Sequence, residues 1–310
     1  MRKIAVIGSM NVDLVSRVPR FLMPGETLTG LDFGVFTGGK GGNQAVAASR
    51  LVPEVMMLGK LGDDQNGALY RQMLADSGID GACVETVPGV RNGTTVIEVA
   101  EDTGDNRIIY FPGANKLVDR VQIDAYFDQL LACDLFLMQL EIPLETVAYA
   151  AEKLHQAGKA VILDPAPAVP LPQGMLENID YITPNETELA LLTGLDTGSP
   201  DKLIAAAKAL NRMGAAAVIA KAGADGAYLI RGDEVHHAPG FQVNAVDTTA
   251  AGDSFNAGFA AALCRGMGER EALRFANAAA ALSTQGAGAQ GAMPAYDAVQ
   301  RFLDSYQKGE

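Results

Sequence analysis

The sequence predicts an α/β protein in which a mainly parallel sheet is covered by helices. It opens with a continuous apolar run at residues 4–7 that ends in Gly8, as buried first strands of parallel sheets do. From residue 55 onward, short apolar runs alternate with helical patterns, and this alternation favours parallel strands joined by helices. The 310 residues are 48% hydrophobic, which is enough for one large domain or two small ones with a sizeable core.

The alternating elements can be placed in order along the chain. Helical spacing predicts helices, and apolar runs predict strands, at the following positions: strands at 55–58, 135–138, 161–163 and 216–220, and helices near 65–77, 144–157, 253–264 and 269–283. Open α/β sheets bind ligands at the carboxyl ends of their strands. Polar residues directly after these strands are therefore candidate site residues.

The charge balance excludes some classes of partner. A formal charge of −13 argues against a nucleic-acid partner, because phosphate backbones are held mainly by clustered lysine and arginine. No apolar run approaches the ~20 residues of a membrane span, and the N-terminal segment lacks the apolar region of a signal peptide. We therefore expect a cytoplasmic protein with no membrane partner.

The cysteines and histidines predict no chemistry of their own. The three cysteines are odd in number and far apart, which fits reduced thiols better than a disulfide framework. The three histidines have no further ligands at metal spacing. We interpret all six as structural or surface residues.

The stretch from Thr248 to Gly252 predicts an anion site at the start of a buried helix. Ala250, Ala251 and Gly252 have almost no side chain, so a bulky anion could approach the unpaired N–H groups of the first turn. Asp253 stands in that turn, where capping the helix is the plain structural explanation. A carboxylate beside an anion site can also accept a hydroxyl proton while the N–H groups hold a phosphoryl group. That second interpretation predicts a kinase acting on an alcohol.

The glycine-rich segment at residues 37–48 allows a ligand to approach the backbone closely. Its spacing to Lys40 resembles a P-loop, but Gly41 stands where a Mg²⁺-binding Ser or Thr is needed. A dinucleotide fingerprint would need a third glycine where Gln44 stands, which also argues against a dehydrogenase. What remains is a ligand loop in which Asn43 can hydrogen-bond hydroxyl groups from the helix start.

Polar side chains follow two of the predicted strands at their carboxyl ends. Asn11 and Asp13 come after the first strand and, being two apart, point the same way in an extended segment. They could bind sugar hydroxyls or form an Asx-turn, and the residues alone leave both open. Gln139 and Glu141 follow the strand at 135–138, where a solvated glutamate is the alternative to a ligand contact.

Two later segments are ambiguous when they are considered alone. Asn185 and Glu188 are three apart at a helix start, which is the pattern of an ordinary capping box. Lys221, Gly223 and Gly226 belong to a glycine-punctuated turn after a predicted strand. Neither pattern assigns a function without further information.

Four motifs together resemble one family. Residues 247–256, Asp-Thr-Thr-Ala-Ala-Gly-Asp-Ser-Phe-Asn, resemble the C-terminal signature of the PfkB family of carbohydrate kinases. The segments at 38–45 (Gly-Gly-Lys-Gly-Gly-Asn-Gln-Ala), 164–168 (Asp-Pro-Ala-Pro-Ala) and 185–188 (Asn-Glu-Thr-Glu) follow the family's order. The resemblance spans nearly the entire chain, and within the family it is strongest to members that phosphorylate ribose.

The resemblance implies an architecture. It implies a single three-layer α/β/α Rossmann-like domain over residues 1–310, with a small β-sheet lid from about residues 14–37 and 94–111. The first lid range is rich in turns and strand-like pieces, and the second has the pattern of a hairpin. Exposed strands rich in Leu, Val, Ile and Phe need a partner. In the family two such lids clasp each other, so we expect a homodimer through the lid.

The resemblance also implies roles for individual residues. The base would be Asp253, with an anion hole formed by the N–H groups of Ala250, Ala251, Gly252 and Asp253. The sugar would be bound by Asn11, Asp13, Gly39, Lys40, Asn43, Glu141 and Asp253. ATP would be bound by Asn185, Lys221, Gly223, Gly226 and Asn277. Mg²⁺ would be held through water by Asn185 and Glu188. A monovalent cation, expected to be K⁺, would be bound by Asp247, Thr249, Ser283, Gly286, Gly288 and Ala292.

Four positions depart from the family pattern, the first being Ala250, where Gly is usual. Asp164 replaces the family's Asn, and Lys221 stands where Thr or Ser is frequent. The sequence leaves the roles of both open. Ala292 lacks the hydroxyl that is often found at its position, which removes one expected cation ligand.

The implied reaction is transfer of the γ-phosphoryl group of ATP to a sugar hydroxyl. D-Ribose, phosphorylated at O5, is the first expected acceptor because the sugar-binding set matches. Kinases of deoxyribose, fructose and nucleosides share most of the motifs and remain alternatives. A sugar-binding regulator without catalysis is the alternative from another class, and the intact Gly252, Asp253, Asn185 and Glu188 argue against it.

Overall fold

The computed structural model describes residues 2–307. In chain order its strands are β1 (Ile4–Ile7), β2 (Asn11–Val18), β3 (Asp32–Gly38), β4 (Val55–Gly62), β5 (Asp80–Val87), β6 (Gly93–Ala100), β7 (Asn106–Phe111), β8 (Leu135–Met138), β9 (Ala160–Leu163), β10 (Tyr181–Ile182), β11 (Ala217–Lys221), β12 (Ala227–Arg231) and β13 (Glu234–Ala238). Its α-helices are α1 (Lys40–Leu51), α2 (Gln65–Asp76), α3 (Arg120–Ala125), α4 (Phe127–Leu131), α5 (Leu144–Gln156), α6 (Glu186–Thr193), α7 (Pro200–Arg212), α8 (Ala251–Cys264), α9 (Glu269–Ser283) and α10 (Tyr296–Gln307).

Nine strands form the larger sheet, in the order β13-β12-β11-β10-β9-β8-β1-β4-β5. Every pairing from β5 across to β11 is parallel, and β12 and β13 add an antiparallel hairpin at one edge. The mainly parallel sheet predicted from the sequence is therefore confirmed.

Helices cover both faces of this sheet. Along β1, Ile4 and Val6 enter the apolar cluster formed with α1, α8 and α9, whereas Ala5 and Ile7 enter the cluster formed with α5 and α7. Successive side chains of a strand point to opposite faces, so the continuous apolar run of β1 serves both cores. This produces the three-layer α/β/α arrangement.

A separate four-stranded sheet has the order β3-β2-β6-β7, and we refer to it as the lid. Its strands lie within residues 11–38 and 93–111, and residues 19–31 of the first predicted lid range lie outside them. Asp13 on β2 stands opposite Phe36 on β3 and Thr95 on β6. Because β2 continues the chain directly from the end of β1, the lid begins where the carboxyl edge of the main sheet ends.

Strand β4 runs farther than the predicted strand at 55–58 and ends at Gly62. The extension carries Lys60, whose Nζ atom lies 3.3 Å from Glu85 and 3.6 Å from Asp119. A periodicity rule treats a lysine as the end of an apolar run, but these ion pairs allow it to lie in a buried strand.

The N-terminus of α1 packs tightly against the junction of β1 and β2. Gly39 precedes the helix with φ of +81°, a conformation that favours glycine. A Cβ atom on Gly41 would lie 2.5 Å from the backbone nitrogen of Ser9. The glycines of this loop therefore let two backbones approach at the edge where the candidate site lies.

The described part of the chain contains no helix long and apolar enough to cross a membrane. All three cysteines are buried and unpaired.

Candidate active site

Asp253 lies in the first turn of α8, buried between two helices. Ala250 precedes the helix with φ of +59°, and this left-handed residue turns the chain into it. The carboxylate accepts a hydrogen bond from Nδ2 of Asn43 at 3.1 Å and one from Nε2 of Gln44 at 3.0 Å. The first turn of α8 and the polar residues of α1 therefore meet, although they are far apart in sequence.

The first turn of α8 borders a pocket of about 430 Å³. The lining residues come from five segments: Lys40, Asp164, Asn185, Glu186, Thr187, Glu188, Lys221, Gly223, Thr248, Ala250, Ala251, Gly252 and Asp253. The N–H group of Ala251 already donates to the carbonyl of Thr248 at 3.2 Å. Within the described residues the N–H groups of Ala250, Gly252 and Asp253 have no backbone acceptor, and those of Gly252 and Asp253 also lie in the first turn of α8, where they can bind an anion.

Asp253 and Lys40 are two of the charged residues that line this pocket, and each changes the pKa of the other. Burial raises the pKa of Asp253 above its ordinary value, and Lys40 opposes the rise. Burial alone would lower the pKa of Lys40, but Asp253, Asp164 and other nearby carboxylates outweigh it and raise that pKa. A raised carboxylate pKa is what a general base near neutral pH requires.

The predicted sugar-binding residues converge on the junction of the lid and the main sheet. A Cβ atom on Gly39 would lie 2.8 Å from the backbone nitrogen of Asn11, and one on Gly38 would lie 2.0 Å from Oδ2 of Asp13. Residue 39 therefore requires glycine because its neighbour is backbone, whereas a side chain at residue 38 would displace the Asp13 carboxylate. Burial raises the pKa of Asp13 to about 6, although a hydrogen bond from Thr95 acts to lower it.

Glu141 joins this cluster from the loop after β8. Its Oε2 atom accepts hydrogen bonds from Oγ of Ser9 at 2.5 Å and from the backbone nitrogen of Lys40 at 3.0 Å. The glutamate is therefore not simply solvated at a strand end. It ties the start of α1 to the end of β1 while lying beside the other predicted sugar residues.

A second pocket of about 330 Å³ lies on the other side of Lys221. It is lined mainly by apolar and glycine residues, including Gly223, Gly226 and Phe255, and Asn277 is one of its few polar residues. The side-chain amide of Asn277 donates to the carbonyl of Ala238 at 2.8 Å, which holds this wall in place. An apolar pocket that opens toward a polar pocket can hold a flat nucleobase joined to phosphates.

Asn185 and Glu188 form a full capping box at the start of α6. Oδ1 of Asn185 accepts from the backbone nitrogen of Glu188, and Oε2 of Glu188 accepts from that of Asn185, both at 2.8 Å. Both residues also line the polar pocket. Burial raises the pKa of Glu188, and Lys221 opposes the rise. Capping and a ligand role are therefore compatible at this pair.

The predicted cation-binding segment is held together by Asp247. Its Oδ1 atom accepts from Oγ1 of Thr249 at 2.6 Å, and its Oδ2 atom accepts from the nitrogen of Gly288 at 3.0 Å. A Cβ atom on Gly286 would lie 2.9 Å from Cβ of Ala292, so these two also pack together. The Ser283 hydroxyl instead donates to the carbonyl of Ala280 at 2.8 Å. Among residues 2–307, no group of three or more His, Cys, Asp or Glu side chains could hold a metal ion.

Residues 1–296 match the model of the pfkB family carbohydrate kinases. The chain belongs to this family. It is 40% identical to the ribokinase of Haemophilus influenzae over 305 residues, which cover 98% of this chain and 99% of that protein. It is 38% identical to the deoxyribokinase of Salmonella typhi over 301 residues, which cover 97% and 98%.

A solved pfkB-type structure, the ribokinase of Arabidopsis thaliana complexed with ribose and ATP, superposes on the chain with a TM-score of 0.93. It is 34% identical to the chain and covers 97% of it and 98% of its own length. The predicted family membership and the ribokinase-like fold, with its large parallel sheet and small lid, are confirmed.

Several residues of this pfkB-family site are not among those predicted from the sequence. Asn115 donates to Oδ1 of Asn11 at 2.6 Å, and Gln290 donates to Oδ1 of Asn43 at 3.1 Å. Gln44 breaks a dinucleotide fingerprint and belongs to the family segment at 38–45, but the sequence predicts no role for it, whereas in the structure it holds Asp253. Two signals in the sequence point to Gln44: a polar side chain among small helix residues, and its place in the segment at 38–45 that resembles the family.

Proposed function

We propose that this pfkB-family kinase transfers the γ-phosphoryl group of ATP to O5 of D-ribose and releases ribose 5-phosphate and ADP. The observation that carries the proposal is the position of Asp253. This carboxylate contacts Asn43 of the predicted sugar set and also lines the polar pocket that carries the predicted phosphate set. The ribokinase relatives and the ribose and ATP named for the Arabidopsis structure support ribose as the acceptor.

The proposed chemistry uses one base and one anion site. Asp253 takes the proton of the acceptor hydroxyl as the hydroxyl oxygen bonds to the γ-phosphorus, and the bond from that phosphorus to the leaving ADP oxygen breaks. The N–H groups of Gly252 and Asp253 stabilise negative charge on the transferring group. Asn43 and Gln44 hold the carboxylate, so that it meets the hydroxyl without first reorienting.

The remaining predicted residues are assigned to binding in this proposal. The sugar is held by Asn11, Asp13, Gly39, Lys40, Asn43 and Glu141, which meet at the junction of the lid and the main sheet. The nucleotide occupies the apolar pocket beside Gly223, Gly226 and Asn277, with its phosphates directed toward Asn185 and Lys221.

The donor set fits a hydrated Mg²⁺ ion and a monovalent cation. Glu188 uses Oε2 for capping, which leaves its other oxygen free to accept from a water ligand, and Mg²⁺ keeps several waters when bound. Asp247 and backbone oxygens of the 283–292 loop offer the oxygen donors that K⁺ prefers, without a hydroxyl at Ala292. Bound Mg²⁺ would neutralise phosphate charge.

We also propose a homodimer formed through the lid. The lid face that carries Asp13 also carries Phe36, Ile108 and Tyr110, since paired residues of a sheet share a face. Phe36 is 55% exposed and Ile108 is 58% exposed. An exposed apolar sheet face of this kind is covered by a partner in stable proteins, and a second lid would also enclose the sugar pocket.

Deoxyribose is the second candidate acceptor, because the Salmonella deoxyribokinase is almost as similar to the chain as the ribokinase relative. The two sugars differ by one hydroxyl, which a single residue can select. The test is release of ADP from Mg-ATP, with K⁺ present, across ribose, 2-deoxyribose, fructose and nucleosides. Ribose should have the highest kcat/KM. A higher value for another sugar would overturn the ribose assignment, and no turnover with any of them would favour a binding protein.

A further inference from the structure

Lys221 and Asp164 form an ion pair where the two pockets meet. Nζ of Lys221 lies 3.0 Å from Oδ1 of Asp164, and the side chains are 13% and 2% exposed. The sequence showed these residues as two separate departures from the family pattern, each adding a charge. The structure brings the two added charges together. A buried charge is stable only with a partner, so each departure requires the other.

The ammonium group of Lys221 also lies beside the start of α8. A Cβ atom placed on Gly252 would be 3.5 Å from Nζ of Lys221. The same residue lines both the apolar and the polar pocket. An ammonium group has three N–H donors, of which Asp164 needs one, so the others can point toward an anion at the N-terminus of α8.

Asp164 is connected to Asp253 through a single amide. Nε2 of Gln44 donates to Oδ2 of Asp164 and to Oδ1 of Asp253, both at 3.0 Å. Nε2 of Gln139 donates to Oε1 of Gln44 at 2.7 Å, which fixes the end of the Gln44 amide that faces the carboxylates. One hydrogen-bonded chain thus runs from Lys221 through Asp164 and Gln44 to Asp253.

We propose that Lys221 binds the transferring phosphoryl group and that Asp164 is the positioning residue that aims this ammonium while holding Gln44 against Asp253. This rests on the proposed function, in which Asp253 is the base. No bond forms or breaks at the pair, which acts only by charge and hydrogen bonding. The pair therefore sets the distance between the carboxylate of Asp253 and the phosphate-binding ammonium group of Lys221.

The hydrogen-bond inventory predicts how substitutions at the pair behave. Asp164 faces two donors, Gln44 and Lys221, and both of its oxygens accept. In Asp164→Asn one donor must face the new NH₂ group, which leaves two donors in contact. In Asp164→Asn/Lys221→Gln the asparagine oxygen can accept from Gln44 while its NH₂ group donates to the glutamine oxygen. The double variant is neutral and fully bonded.

The charges around Asp253 predict a pH effect. The groups that face it are Lys40 and Asp164, with Lys221 behind Asp164 and with Glu141 and Glu188 acting on Lys40. Lys221→Gln leaves the negative charge of Asp164 without its positive partner, which raises the pKa of Asp253 further. The acid limb of the pH profile of kcat should therefore move to higher pH. Asp164→Asn removes a negative charge and should move it to lower pH.

The experiment compares the wild type, both single variants and the double variant. We expect Lys221→Gln to raise the Kd of Mg-ATP, measured calorimetrically without sugar, by about tenfold, and to lower kcat/KM for ATP by about 10- to 100-fold, the range for a lost charge-assisted hydrogen bond. The double variant should retain at least about fivefold more kcat than the product of the single losses predicts, as coupled residues do. Its acid limb should return toward that of the wild type.

Lys60→Gln is the matched control, because Lys60 is an equally buried, ion-paired lysine that lines neither pocket. It should leave the Kd of Mg-ATP and the pH limb unchanged, even if it lowers Tm.

Two results would overturn the proposal. An unchanged Mg-ATP affinity in Lys221→Gln would remove the phosphate role of the ammonium. The pair would be only a structural contact if the double variant lost as much kcat as the product of the single losses predicts and if no variant shifted the acid limb of kcat. If the wild type binds Mg-ATP but turns over no sugar, the proposed function fails, whereas the affinity measurement still tests the pair.

Discussion

Nδ2 of Asn43 donates a hydrogen bond to Oδ2 of Asp253 at 3.1 Å, across 210 positions of the sequence. The contact joins the N-terminal turn of α1 to the first turn of α8. It places an amide of the predicted sugar set directly on the predicted base, so the two sets form one site.

Asp253→Asn should lower kcat by at least about 100-fold, because a general base contributes roughly that much. The sugar Kd should change little, since Asn11, Asp13 and Glu141 remain. Single-turnover kinetics and calorimetry separate the two effects. Asp304→Asn on the exposed face of α10 serves as the control, and an undiminished kcat in Asp253→Asn would rule out the base assignment.

Sugar binding should weaken as the pH falls through about 6, where Asp13 takes up a proton. The Kd should then rise by up to about tenfold per pH unit, since only the ionised carboxylate accepts two hydroxyl hydrogen bonds. Calorimetry between pH 5 and pH 8 measures this, and Asp13→Asn should bind weakly without that pH dependence. A wild-type Kd that is flat across this range would contradict the role of Asp13.

The ionised Asp13 carboxylate should also lower the free energy of unfolding at neutral pH. Folding raises rather than lowers the pKa of Asp13, so its ionised form is favoured in the unfolded chain, and the cost applies above pH 6 and fades below it. Asp13→Asn should therefore raise Tm at pH 8 by a few degrees and have less effect at pH 5. A lower Tm at pH 8 would mean that Asp13 is stabilised by contacts beyond those described.

Gly41→Ala should destabilise the fold by about 2 kcal/mol or more, as forced overpacking does. The new Cβ atom would lie 2.5 Å from the nitrogen and 2.6 Å from the oxygen of Ser9, and backbone atoms cannot move aside as a side-chain end can. Gly268→Ala is the control, because nothing lies within 4 Å of its added atom. Equal denaturation midpoints for the two variants would show that the loop adapts.

Ile108→Asp should convert the proposed dimer to a monomer in analytical ultracentrifugation, because a buried unpaired carboxylate opposes association. Val121→Asp introduces the same charge at a 75% exposed position on α3 and should leave the sedimentation coefficient unchanged. If the wild type sediments as a monomer at micromolar concentration, the lid face is not a dimer interface.

Local sequence patterns determined most of the fold. The apolar runs of β1, β8 and β9 have the period and length of buried parallel strands, and α8 and α9 have helical spacing, so their elements form close to the predicted bounds. The extension of β4 to Gly62 escaped prediction because the partners of Lys60 are distant in sequence. The motifs around Asn43, Asn185 and Asp253 predicted the family, since they combine small residues with polar groups in a fixed order.

Only the tertiary structure decided how the site residues are connected. The sequence contains Gln44, Asp164 and Lys221 as isolated residues more than 50 positions apart, and no periodicity relates them. Hydrogen bonds and ion pairs act over about 3 Å, so they depend on where the sheet and the helices bring side chains together. The parallel sheet delivers β9 and β11 to the same edge, and α1 and α8 pack beside it, which turns these separate residues into one network around Asp253.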